Sequence, residues 1–170
     1  MGTKYIYDNI EVARRYLDKF HMLVSDKTLL MDMCFLPPYH WKTFYAQIFE
    51  KNDVFQAHCA YTRYTDHLGI ESWSQSFIST EKADALSHKK GDIICKIIRI
   101  DPEMIQKLTE QIKAFQPEHD ETCGFIIDGI FAAARLYTNG CVSKELIVTP
   151  QQDDTPVIKS MMDFSELINK

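Results

Sequence analysis

Residues 41–79 read WKTFYAQIFEKNDVFQAHCAYTRYTDHLGIESWSQSFIS. Three aromatic-rich segments, 41–50, 54–65 and 70–79, are divided by EKND and by Asp66-His67-Leu68-Gly69. Segments of this length that alternate in polarity and are parted by turn residues predict antiparallel strands. Side chains alternate across a strand, so neighbours in sequence point to opposite faces. In the middle segment Phe55, Ala57, Cys59, Tyr61 and Arg63 share the face expected on the core. Gln56, His58, Ala60, Thr62 and Tyr64 share the other. The dense stretch HCAYTRYTDH (58–67) is therefore dispersed in space. In a regular strand His58 and Cys59 cannot hold one metal ion.

The other segments fit around this meander. Asp8 with Glu11 matches a capping box, and Ile10, Ala13, Leu17 and Phe20 follow at helical spacing, which predicts a helix over 9–23. TLLMDMCFL (28–36) is expected to be a buried strand stopped by Pro37-Pro38. STEKADALSHKKG predicts a helix over 80–90, capped by Ser79 or Thr80 and ended at Gly91. DIICKIIRI (92–100), the most apolar strand, is expected at the centre of the sheet. Asp101-Pro102 opens a helix over 102–115, and Pro156 opens another over 156–168. Between them, turn signals stand at Asp128-Gly129 and Asn139-Gly140. For the second turn, a three-residue loop with a glycine bulge places Tyr137 across from Cys141 and Arg135 across from Ser143. A two-residue loop would set Arg135 against Lys144, which is repulsive, so the bulged register is preferred. The expected class is α+β: a mainly antiparallel sheet of seven or eight strands, with about four helices packed mostly on one face. One domain over 1–170 accommodates all of it.

Composition narrows the function classes. The net charge is −5 and the basic residues are scattered, His88-Lys89-Lys90 being the densest run. Nucleic-acid binding needs clustered cations, so it is not expected. No apolar run approaches the length of a membrane span, so no membrane partner is expected either. The five cysteines include no CxxC and lie among apolar neighbours, as in MCFL and IICKII. That suits reduced, buried thiols and a cytoplasmic location. His119 and Cys123 have a spacing that could reach one zinc, but a zinc site needs three or four ligands and nothing marks the others. No metal and no cofactor are expected.

SFISTEKADAL (76–86) resembles the strand-to-helix Ser-Thr element of ADP-ribosyltransferases. The resemblance covers eleven residues. It implies an NAD pocket ordered by Ser79 and Thr80, with Arg63 as the early-strand arginine and Glu145 as the late-strand glutamate. The E-x-E of that family is absent. A strand ending at a Ser/Thr helix cap accounts for the same residues.

The aromatic content points to binding instead. Trp41, Tyr45 and Phe49 share one strand face, and Trp73 and Phe77 share another. A sheet with two apolar faces is either covered by helices on both sides or carries an exposed aromatic patch. The main expectation is a protein-binding module or homo-oligomer, with Trp41, Tyr45, Tyr61, Trp73 and Phe77 as the surface. In size and charge the chain is similar to small acidic proteins that neutralise toxins by surface contact, and a regulatory subunit fits equally. The enzyme reading is the alternative.

Overall fold

The computed structural model describes residues 2–37, 43–62, 93–116, 130–148 and 155–170. These residues form an α+β fold: one six-stranded antiparallel sheet and three helices. In chain order they are α1 (Gly2–Lys19), β1 (Leu29–Leu36), β2 (Phe44–Lys51), β3 (Val54–Thr62), β4 (Ile93–Arg99), α2 (Pro102–Ala114), β5 (Phe131–Thr138), β6 (Cys141–Val148) and α3 (Pro156–Ile168). The strand order is β4-β3-β2-β1-β5-β6. The expected strand over 70–79 and helix over 80–90 lie outside the described residues, which therefore hold six strands and three helices rather than seven or eight and four.

The meander is present where it is described. β2 pairs with β3 from Phe44↔Tyr61 to Lys51↔Val54. Asn52 and Asp53 close the turn with positive φ of 54° and 59°, as a two-residue hairpin turn requires. Phe55, Ala57, Cys59 and Tyr61 lie on a core face as the alternation predicts.

Of the three described helices, two pack on one face of the sheet and α1 on the other. From α2, Ile105, Leu108 and Ile112, and from α3, Val157, Ile158, Met161, Phe164 and Ile168, pack on Met31, Met33, Phe35, Phe44, Ala46 and Ile48. On the opposite face Ile6, Ile10, Ala13 and Leu17 of α1 pack on Cys34, Tyr45, Ala60 and Ala133. The three alanines of β5 alternate between these two layers, and their small side chains let helices approach from either side.

Three local expectations are also corrected. First, α1 begins at Gly2, so Asp8 lies inside the helix and caps nothing. The cause is Ile6, which extends the buried stripe by one turn before Ile10. The helix ends at Lys19, with His21 in the left-handed region at φ 57°. Met22 N–H donates to Leu17 O at 2.7 Å and His21 N–H to Asp18 O at 2.9 Å, a Schellman ending. Phe20 therefore falls off the buried stripe and is exposed.

Second, the strand at 92–100 is outermost in the described sheet, not central. Its apolar composition is misleading, because Ile97 is 55% exposed and Cys95 only half-buried. The interior belongs to β1 and β2. Third, the β5–β6 hairpin uses a two-residue turn at Asn139-Gly140, with Thr138↔Cys141 and Tyr137↔Val142. A bulge between Leu136 and Tyr137 then shifts the pairing, so that Arg135 faces Glu145 and Leu136 faces Lys144. Ser143 Oγ donates to Leu136 O at 3.2 Å inside the bulge. The repulsion that argued against the short loop is thus relieved in mid-strand rather than at the turn.

The predicted starts of the last two helices hold, as does the end of α3, while α2 ends at Ala114, one residue short of the expected 115. Asp101 is the N-cap of α2, its carboxylate accepting from Glu103 N–H at 3.0 Å, and Pro102 opens the first turn. Pro156 opens α3 in the same way.

Candidate functional site

Pairing registers align six residues across the sheet on the α1 face: Ile97, His58, Gln47, Asp32, Arg135 and Glu145, one from each strand. Five of the six are polar. The adjacent row, Cys95, Ala60, Tyr45, Cys34, Ala133 and Ile147, is mostly apolar and lies beneath α1. A polar row inside a covered sheet must be hydrogen-bonded to persist.

Asp32 is the hub of that row. It is 1% exposed. Its carboxylate accepts from Tyr45 Oη at 2.7 Å, Tyr137 Oη at 3.2 Å and Arg135 Nε at 2.8 Å, and pairs with Arg135 Nη2 as well. Arg14 of α1 approaches the same carboxylate to 4.0 Å, while its other nitrogen holds Asp26 at 2.9 Å. Burial pushes the Tyr45 hydroxyl well up, and the Asp32 charge adds to it; Tyr137 is raised by the same two causes. Both phenols are therefore kept as donors to Asp32. Burial alone would lower Arg135, but its hydrogen bonds to Asp32 and the Asp32 charge outweigh that and hold it raised. This is a buried ion pair whose carboxylate also accepts from two phenols, extra bonding of the kind that offsets the cost of burial.

The rest of the row pins a segment that crosses above it. Residues 20–28, between α1 and β1, form a strap. Gln47 is fully buried, and its amide grips the Val24 main chain: Val24 N–H donates to Oε1 at 2.8 Å, and Nε2 donates to Val24 O at 3.5 Å. His58 Nδ1 lies 2.6 Å from Met22 O, and the His58 ring meets Phe49 edge-on at 4.8 Å. Val24 is buried with Leu29 and Phe49. Leu23, between the two pinned residues, stays 40% exposed. Phe20 is 53% exposed, and so is Ile97 at 55%, the partner of His58 on β4. At the far end of the row, Tyr7 donates to the Glu145 carboxylate and ties α1 to β6.

The residues expected from sequence are distributed differently. Tyr45 and Tyr61 do not share a face: Tyr45 pairs with Ala60 and packs under α1, while Tyr61 pairs with Phe44 and packs with the α2–α3 layer. Both are buried, so neither offers an exposed surface. Trp41, Trp73 and Phe77 lie outside the described residues, as do Arg63, Ser79, Thr80, His119 and Cys123. Glu145 is described, but it faces Arg135 and accepts from Tyr7. Burial raises the thiols of Cys34 and Cys59 strongly and lifts Cys95 to about 11, so these three are packing groups at neutral pH. Among the described residues no group of three or more His, Cys, Asp or Glu is placed to hold a metal ion, and no helix is long and apolar enough to cross a membrane.

Asp32, Arg135 and Gln47 were not singled out from sequence. A signal for the first two exists: each is the lone charge in an otherwise apolar strand, LLMDMCFL and FAAARLYT, and the charges are opposite. No protein-family model, curated protein or solved structure matches this chain.

Proposed function

We propose that this chain acts by binding a protein partner, and that Leu23 and Ile97 lie on the surface it uses. The observation that supports the reading is that Leu23 and Ile97 are both exposed, and that His58, which contacts Met22 O next to Leu23, pairs with Ile97. Exposed apolar groups on a fixed frame favour partner surfaces. The chain's net charge of −5 opposes association with a second copy and favours a partner of basic character. A toxin-neutralising or regulatory role fits a protein of this kind. The free thiols of Cys34 and Cys59, buried in the two layers, support a cytoplasmic setting.

Leu23→Ser and Ile97→Thr test the reading, because each removes apolar area from that surface without adding charge. Each is expected to weaken partner binding by about 10- to 100-fold, the worth of one buried aliphatic side chain. Unchanged binding in both variants would refute the assignment. A wild-type chain that self-associates in sedimentation, with loss of the dimer in the same variants, would replace the basic partner by a second copy.

A further inference from the structure

We infer that Asn139 is a modification site: its side-chain amide is lost through a cyclic imide formed with Gly140, and the product changes the register at the end of the β5–β6 hairpin. The chain holds four asparagines, and only Asn139 is followed by glycine, the others preceding Ile10, Asp53 and Lys170. The fold itself calls for that dipeptide. Asn139 and Gly140 have φ of 53° and 82°, the left-handed pair of a two-residue hairpin turn, which asparagine followed by glycine suits best. A Cβ at position 140 would also stand 3.3 Å from Lys27 Cγ and 3.5 Å from Lys27 Cα, so a side chain there would crowd the segment before β1. Glycine in turn leaves its own nitrogen unobstructed. Asn139 is exposed, and among the described residues neither its side-chain amide nor the Gly140 N–H has a hydrogen-bond partner. The electrophile and the nucleophile of the reaction are adjacent, accessible and uncommitted.

The reaction needs only water. Hydroxide takes the Gly140 amide proton, and the nitrogen attacks Asn139 Cγ. A C–N bond forms there, the bond from Cγ to the side-chain nitrogen breaks, and ammonia leaves. Water then opens the imide ring at either of its two carbonyls. Opening at the former side-chain carbonyl gives aspartate, which tolerates the left-handed region and keeps the turn. Opening at the main-chain carbonyl gives isoaspartate, whose main chain runs through Cβ and Cγ and is longer by a methylene. That longer chain does not fit the turn, because a loop of two residues sets the pairs Thr138↔Cys141 and Tyr137↔Val142. The bulge between Leu136 and Tyr137 is the next break in the ladder, and from Leu136 to Phe131 β5 is also held by β1. The change therefore stops at the bulge. Tyr137 lies in the released part, and its hydroxyl is one of the two phenol donors to Asp32, at 3.2 Å. An exposed turn is in this way linked to the buried hub, and the isoaspartate form gives up a hub bond.

The test ages the full chain in mildly alkaline buffer beside Asn139→Gly, which keeps a turn-compatible residue and has no amide to lose. Mass spectrometry reads residues 136–144, which trypsin releases as one fragment between Arg135 and Lys144. Labelling by an isoaspartate methyltransferase, located on the same fragment, reads the lengthened product. The acid forms are expected there before any appear at Asn9, Asn52 or Asn169, at a rate that rises in proportion to hydroxide. The methyl label should be present on the wild-type fragment and absent from that of Asn139→Gly. In the isoaspartate form, separated by chromatography, amides of residues 137–142 should exchange about tenfold or more faster, the worth of one lost hydrogen bond. Amides of β1 and β2 should stay protected. Asn139→Asp should keep wild-type protection throughout, which separates the longer main chain from the added charge. An unchanged fragment, over a period in which the same fragment as a free peptide converts fully, would overturn the inference. Earlier conversion at another asparagine would do the same. Isoaspartate with wild-type exchange at residues 137–142 would overturn the link from the turn to the hub.

Discussion

Replacing Asp32 should expose how much of the α1 face depends on one carboxylate. Asp32→Ala removes the acceptor for Tyr45, Tyr137 and both engaged nitrogens of Arg135. It leaves a guanidinium whose side chain is 14% exposed without its buried partner, the carboxylate of Glu145 across on β6 being the charge that remains nearby. Breaking a buried pair from one side costs about 3–5 kcal/mol. Domains of this size hold only about 5–15 kcal/mol in total, so the loss is a large share. Asp32→Asn keeps the shape and one acceptor oxygen and should cost less, about 1–3 kcal/mol. Arg135→Met should also cost less than Asp32→Ala, because Asp32 keeps two phenol donors and Arg14 waits 4.0 Å away. Removing both ends in Asp32→Leu with Arg135→Met should cost well under the sum of the single changes, with a coupling of about 2 kcal/mol or more. Urea unfolding followed by far-ultraviolet circular dichroism, with the denaturant slope unchanged, gives each value. An Asp32→Ala loss under about 1 kcal/mol, or strict additivity in the double variant, would refute the picture of a buried, hydrogen-bonded hub.

Four further outcomes follow from individual groups. Cys95 is raised to about 11 by burial, and Cys34, Cys59, Tyr45 and Tyr137 are raised too, so the folded state holds protons that the unfolded state releases. Their contribution is whole below the ordinary thiol range and is lost as pH climbs; urea midpoints should fall from pH 9 toward 11, and a flat profile would contradict this. An aromatic disulfide reagent at neutral pH should label exposed Cys141 quickly and leave Cys34 and Cys59 untouched until denaturant is added; equal rates would show that the two layers are not closed. At His21, φ 57° suits glycine, so His21→Gly should be neutral or stabilising by up to about 1 kcal/mol, while His21→Val should destabilise; the reverse order by thermal melting would rule out the left-handed ending of α1. Asp101→Ala should cost about 1 kcal/mol through the lost cap of α2, whereas Thr155→Ala at the start of α3 should cost little, because Thr155 makes no cap bond and its buried hydroxyl has no partner among the described residues; equal losses in chemical unfolding would count against both assignments.

Much of the architecture was legible in the sequence because alternation and turn chemistry are local. The β2–β3 hairpin, the core face of β3 and the starts of α2 and α3 follow from residues within reach of one another. What was not legible depends on distant partners. IICKII is more apolar than LLMDMCFL, yet it is the latter that lies inside, because the cost of burying Asp32 is met by Arg135, 103 residues away. The hairpin register is not legible locally, because the repulsion of Arg135 and Lys144 can be removed by a bulge at Ser143 as well as by a longer loop. Tyr45 reads as a surface aromatic because nothing near it in sequence reveals that α1 crosses its face. The exposure of Phe20 is hidden for the same reason: it continues the helical stripe on paper and leaves it only because the helix ends one residue earlier.

The most direct measurement is a side-by-side affinity capture from a lysate of the source organism, with the tagged wild type and its Leu23→Ser and Ile97→Thr variants as baits at physiological salt. Quantitative mass spectrometry then reports which proteins are retained by each. The binding account predicts a basic protein held in stoichiometric amount by the wild type and depleted at least tenfold on both variants. Equal retention on all three baits, or no stoichiometric partner on any, would contradict it.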